Sequence, residues 1–155
     1  MESRHIGARR PTRNVRVAFA GERRALAAQT VRQVVELVLD NEGAGDARLA
    51  VTFLSSARMR GLNRRTFRDD RSTDVIAYGM THDGMIVGDV YVCPGFARRS
   101  SQEYGIGIRE ELIRLVIHGT LHVLGWDHPS GKARVRSPMW TAQEGYVQQA
   151  LAAPH

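Results

Sequence analysis

VRVAFAGERRALAAQTVRQVVELVLDNEGAGDARLAVTF, residues 15–53, changes its hydrophobic period twice. Val15, Val17 and Phe19 alternate with Arg16 and Ala18, the period of a strand with one buried face. Over residues 22–41, Leu26, Val31, Val34, Val35, Val38 and Leu39 fall largely on one helical face, and Gly43-Ala44-Gly45 ends the helix. Leu49, Val51 and Phe53 then return to period two, closed by Ser55-Ser56. A strand, a helix and a strand in that order predict an α/β (α+β) fold in which helices cover a small mixed β-sheet.

The rest of the chain extends this pattern. Ser55 or Ser56 can cap a short helix over 57–63, and the polar segment 64–72 reads as a surface loop. The β-rich runs 73–78 and 85–93, separated by Thr81-His82-Asp83-Gly84, predict an antiparallel hairpin stopped by Pro94. Helices are expected over 95–103 and over 108–124, the second with Glu110 and Glu111 in its first turn and Gly125 as its stop. A last helix runs from Pro138, at its first position, to Leu151. Residues 1–14 (MESRHIGARRPTRN) carry four arginines and little periodicity. They are expected to form a poorly ordered basic arm ahead of a single domain spanning 15–155.

At 155 residues the chain can bury a core without disulfides, and its one cysteine, Cys93, rules out an intramolecular bridge. That usage fits a reducing compartment such as the cytoplasm, with Cys93 as a buried structural thiol. No run of 18 apolar residues occurs and residues 1–14 lack the apolar segment of a secretory signal, so a soluble, unexported protein is expected. The net charge of +6 and pI near 10.4 favour polyanionic partners. Of the 22 basic residues all but Lys132 are arginine, whose fork suits phosphate, although GC-rich coding would produce the same excess.

The chemistry concentrates in His118-Gly119-Thr120-Leu121-His122-Val123-Leu124-Gly125-Trp126-Asp127-His128. Histidines at i and i+4 share a helical face and can converge on one metal ion. Gly125 can take positive φ and reverse the chain, returning His128 as a third ligand. Three imidazoles around a tetrahedral ion leave one position open for catalysis, whereas structural zinc sites are closed by four protein ligands. His5, His82 and His155 read as ordinary residues. The spacing matches the metzincin frame H-E-x-x-H-x-x-G-x-x-H except that Gly119 replaces the glutamate, which removes the general base of peptide hydrolysis. Glycine inside a helix costs about 1 kcal/mol relative to alanine, so something bulky is expected to approach Gly119; a substrate backbone is the expectation.

Together these residues resemble the YbeY family of bacterial endoribonucleases, also called rRNA maturation factors. The resemblance rests on Leu62-Asn63, Arg68, Thr73-Asp74-Val75, Gly88-Asp89-Val90 and Glu111-Leu112, and above all on His118-Gly119-Thr120-Leu121-His122 with Gly125-Trp126-Asp127-His128. It implies a small α/β layer fold and a metal, usually taken to be zinc, on His118, His122 and His128. It further implies cleavage of single-stranded RNA in ribosomal RNA processing and ribosome quality control. Ribosomal RNA or the small ribosomal subunit would then be the partner, with no role for DNA or membrane. Arg68 matches the family's cleft arginine, where a guanidinium would stabilise charge on a phosphodiester. Asp127 is a candidate to orient a ligand imidazole or to act as a weak base, or else caps the turn before His128. Either water or a ribose 2′-hydroxyl could be the nucleophile. In one respect the chain departs from the family pattern. Residues 129–137 are basic where an acidic stretch is usual, and Met139 is followed four residues later by Gln143, not glutamate. The competing readings are an RNA- or ribosome-binding factor with a structural metal, and a metal-dependent peptidase.

Overall fold

The computed structural model describes residues 9–22, 24–67 and 73–153. Four strands, β1 (Arg13–Ala20), β2 (Ala47–Leu54), β3 (Val75–His82) and β4 (Met85–Val92), form one sheet in the order β1-β2-β4-β3. β1 and β4 each run parallel to β2, and β3 pairs antiparallel with β4 at the edge. The helices are α1 (Ala28–Asn41), α2 (Ser56–Phe67), α3 (Pro94–Tyr104), α4 (Ile108–Val123) and α5 (Pro138–Ala152), with a 3-10 turn at Gly131–Arg136. The α/β class and the mixed sheet expected from the sequence are both present.

Alternation does the sorting. Leu49, Val51 and Phe53 of β2 and Val90 and Val92 of β4 are buried in the main core. Val31, Val34, Val35, Val38 and Leu39 of α1 meet that core as one helical stripe. α4 differs in kind, since Leu112, Ile113, Leu115, Val116, Ile117 and Leu121 are buried on every side of it. It packs on β3 and β4 and touches α1, α3 and α5, so it is the central helix of the molecule. Leu54, Met59, Ile76 and Cys93 form a smaller cluster with Leu62 of α2, and Cys93 is fully buried as expected.

Glycines set how closely α4 lies on the sheet. Gly79 and Gly88 face each other across β3 and β4. A Cβ at Gly79 would stand 2.4 Å from the Val123 carbonyl oxygen, and one at Gly88 would stand 2.5 Å from Val123 Cγ1. The pair is a notch that seats the end of α4. Gly119 is the complementary notch on the helix, where a Cβ would stand 2.4 Å from Val90 Cγ1. The expectation of a substrate backbone at Gly119 is therefore corrected: the bulky neighbour is Val90 of β4, and the glycine serves packing.

Several boundaries moved. α1 begins at Ala28, not at residue 22, because Gly21 turns the chain at φ 74° and Ala27 is still extended. Leu26 reaches the core from the segment ahead of the helix, so it keeps the apolar period without being helical. α2 runs on to Phe67, through residues read as loop, with Arg64 and Arg65 in a last turn where the macrodipole favours cations. β1 opens at Arg13, whose guanidinium donates to the Gly45 carbonyl at 2.9 Å and pairs with Asp40 at 3.0 Å. The hairpin turn is Asp83-Gly84, both at positive φ.

Candidate metal centre

The last turns of α4 carry His118 and His122 on one face, with ring centroids 4.6 Å apart and Nε2 atoms 3.0 Å apart. Gly125 then adopts φ 96°, and the Gly125 and Trp126 N–H groups donate to the His122 and Leu121 carbonyls. This paired closure satisfies the helix end and reverses the chain. His128 comes back with its ring centroid 5.1 Å from that of His118 and 5.2 Å from that of His122. One nitrogen from each imidazole lies within 4.8 Å of the other two. His118 is buried, whereas His122 and His128 are half-buried, so the group opens to solvent on their side.

Each ring has its Nδ1 against an oxygen. His118 Nδ1–H donates to Gln143 Oε1 at 2.6 Å, His122 Nδ1–H to the Trp126 carbonyl at 2.9 Å, and His128 Nδ1–H to the Pro129 carbonyl at 3.0 Å. Gln143 has one sensible orientation, because its Nε2 donates to Glu144 Oε2 at 3.1 Å. A neutral imidazole that donates from Nδ1 keeps its lone pair on Nε2. Lone pairs on two Nε2 atoms 3.0 Å apart repel unless a cation lies between them. Two nitrogens bound to one tetrahedral ion at about 2.0–2.1 Å would stand about 3.3 Å apart, close to what the fold imposes here. The donor set fits a metal ion.

Electrostatics agree. Burial pushes the His118 imidazole down to about 4, and the charges of His122, Arg134 and His128 add to this against the opposing Gln143 hydrogen bond. Burial likewise lowers His122. Both rings are neutral near neutral pH, the form that binds metal. Behind them lie two supports. Arg114 donates to Glu144 from Nε and from one terminal nitrogen, both at 2.9 Å, and also reaches Glu110 and Glu111, which holds α5 and Gln143 against α4. The Trp126 indole donates to Glu42 at 2.5 Å, and Glu42 also accepts from the Tyr146 hydroxyl.

A family model described as Endoribonuclease YbeY matches residues 18–150. The chain belongs to the YbeY family. An Endoribonuclease YbeY of Geobacter sulfurreducens is 33% identical over 122 residues, covering 74% of this chain and 81% of that one. One from Persephonella marina is 31% identical over 110 residues, covering 68% and 72%. The solution structure of TM1509 from Thermotoga maritima superposes with a TM-score of 0.59 at 26% identity, covering 86% of this chain and 88% of that one.

Within this YbeY-family fold, His118, His122 and His128 are brought together as the spacing predicts. Arg68 lies outside the described residues. Asp127 is exposed and its Oδ1 accepts from the His128 backbone N–H at 2.8 Å, which caps the turn. Orientation of the imidazoles falls to Gln143, Trp126 and Pro129, not to Asp127. Sequence reasoning missed these three acceptors, as well as Glu42 and Arg134. One signal was available: Gln143 stands where the family pattern has glutamate, and an amide keeps the oxygen acceptor that His118 needs.

Proposed function

We propose that the chain is a zinc-dependent endoribonuclease that cuts single-stranded RNA, acting in ribosomal RNA maturation and ribosome quality control. The observation that carries this is the convergence of three imidazoles whose Nδ1–H groups are all committed to oxygens, inside a family named for endoribonuclease activity. Zinc on three nitrogens with a position left open is the arrangement of catalytic sites, and such an ion supplies Lewis acidity toward water and phosphate. His118, His122 and His128 would hold it. Gln143 and the Trp126 and Pro129 carbonyls fix the rings and raise the basicity of the ligand nitrogens. Asp127 Oδ1 is engaged by the His128 N–H, and its exposed carboxylate is the group we assign as proton acceptor. Arg68 is assigned to the phosphodiester. The net charge of +6 supplies affinity for RNA that weakens steeply with salt. Gly119 in place of a glutamate removes the base on which a peptidase reading depends.

Cleavage of an end-labelled single-stranded RNA by zinc-loaded protein, beside chelated protein and His118→Ala purified identically, tests this reading. Cutting confined to the zinc-loaded wild type is expected. Equal cutting in all three would mean contamination, and RNA binding without cutting would favour a binding factor with a structural metal. The ends of the products separate the two nucleophiles, since a 2′,3′-cyclic phosphate requires the ribose hydroxyl.

A further inference from the structure

The 3-10 turn Gly131–Arg136 belongs to the stretch that departs from the family pattern in charge, and one of its arginines, Arg134, packs on the face of α5 that also carries Gln143. Ser137, itself buried, holds that residue in place: its backbone N–H and its hydroxyl both donate to the Arg134 carbonyl, at 3.1 and 2.7 Å. The same hydroxyl accepts the Trp140 N–H at 3.2 Å and so caps α5. The Arg134 guanidinium lies over the Trp140 ring, 5.8 Å from its centroid. Trp140 and Gln143 are three residues apart and share a face of α5. Gln143 holds His118 from that face, so the ring under Arg134 and the amide on His118 are neighbours on one helix.

We propose that Arg134 is an anion-binding residue of this centre, its guanidinium taking a non-bridging oxygen of a phosphodiester brought to the three imidazoles. The choice of RNA as the source of that phosphodiester rests on the ribonuclease reading above. Among the described residues no carboxylate pairs with this guanidinium, whereas Arg9, Arg13, Arg98 and Arg114 are each paired. Stacking on Trp140 leaves the edge of the fork, with its N–H donors, for an oxyanion.

Inorganic phosphate is the probe. The zinc-loaded chain is titrated with phosphate and followed by indole emission, because Trp140 lies directly beneath Arg134. The wild type is compared with R134A, R134K and, as a control in the same turn, R136A, each checked for zinc content and circular dichroism. R134A should bind phosphate at least about tenfold more weakly, with R134K in between and R136A within about twofold of wild type. For RNA, R134A should raise KM and reduce the salt slope of binding by about one. If R134A loses its fold, R134Q carries the same expectation. Failure of the wild type to bind phosphate, equal binding by R134A, or an equal loss in R136A would each overturn the assignment. Phosphate bound through Arg134 by a protein that cuts no RNA would sustain the assignment and sink the ribonuclease reading. RNA cut by R134A at the wild-type KM would do the reverse.

Discussion

Three positions show how residues other than the histidines bear on the centre. Gly119 is the first, because α4 reaches β4 only where Val90 meets bare backbone. Gly119→Ala should cost about 1–3 kcal/mol by overpacking, with zinc content and turnover falling in step with stability. Val90→Ala in the same molecule should recover part of that loss, and chemical denaturation of the four species measures the coupling. Gln143 is the second. Gln143→Leu strands the buried His118 Nδ1–H at a cost of about 1–3 kcal/mol and should weaken zinc binding about 10–100-fold in a chelator competition. Gln143→Glu, which retains an acceptor, should stay within about tenfold of wild type; equal losses in both variants would show that only packing matters at this position. Asp127 is the third. Asp127→Asn preserves the acceptor for the His128 N–H, so zinc should stay bound while turnover falls about 100-fold or more, as expected for a lost proton acceptor. Unchanged turnover would reduce Asp127 to a turn cap. The three histidines were legible as a cluster from sequence because they lie on one helix and one short reversal. Gln143 was not, because its contact with His118 spans 25 residues and depends on how α5 docks.

At the scale of elements, two couplings hold the ligand-bearing segment. Glu42, at the end of α1, receives the Trp126 indole and the Tyr146 hydroxyl, and so ties the loop leading to His128 to both α1 and α5. Glu42→Ala should loosen that loop and raise amide hydrogen exchange at residues 125–128 without unfolding α4; exchange equal to wild type would show the tie to be idle. Arg114 joins α4 to α5. Burial alone would raise the Glu144 carboxyl, but the Arg114 guanidinium and the Gln143 amide outweigh it and hold the group below its usual range. A depressed carboxyl contributes stability that is present above its unfolded pKa of about 4.3 and lost as pH falls through the folded value. Arg114→Met should therefore be destabilised by about 2 kcal/mol near neutral pH, with the gap from wild type narrowing below about pH 4. A gap independent of pH would mean that the arginine contributes only packing. α4 is legible to within a residue because Gly125 marks its end, whereas β3 runs on to His82, four residues past the expected 78, because only Asp83-Gly84 makes the turn. The start of α1 lies later than the period suggests because Leu26 fits the apolar period although it precedes the helix, and period alone does not distinguish the two.

At the scale of the whole molecule, a four-stranded sheet notched at Gly79 and Gly88 receives one buried helix, and everything else keeps that helix in register. α1 and α5 support it, and the reversal at Gly125 adds the third imidazole from outside the helix. Sheet order was not legible in the sequence. β4 pairs with β2 through contacts remote in the chain, and alternation states which face is buried but not which strand is the neighbour. The clustering of the three histidines was legible where their packing was not, because a motif names particular atoms whereas packing needs only volume. The central claim is that three imidazoles hold one ion and leave a position open. X-ray absorption at the zinc edge, on protein whose metal content has been measured, tests it most directly. One zinc per chain is expected, with three imidazole nitrogens and one light-atom ligand that exogenous phosphate displaces. A fourth protein ligand, a sulfur scatterer, or zinc retained in full by His118→Ala would contradict it.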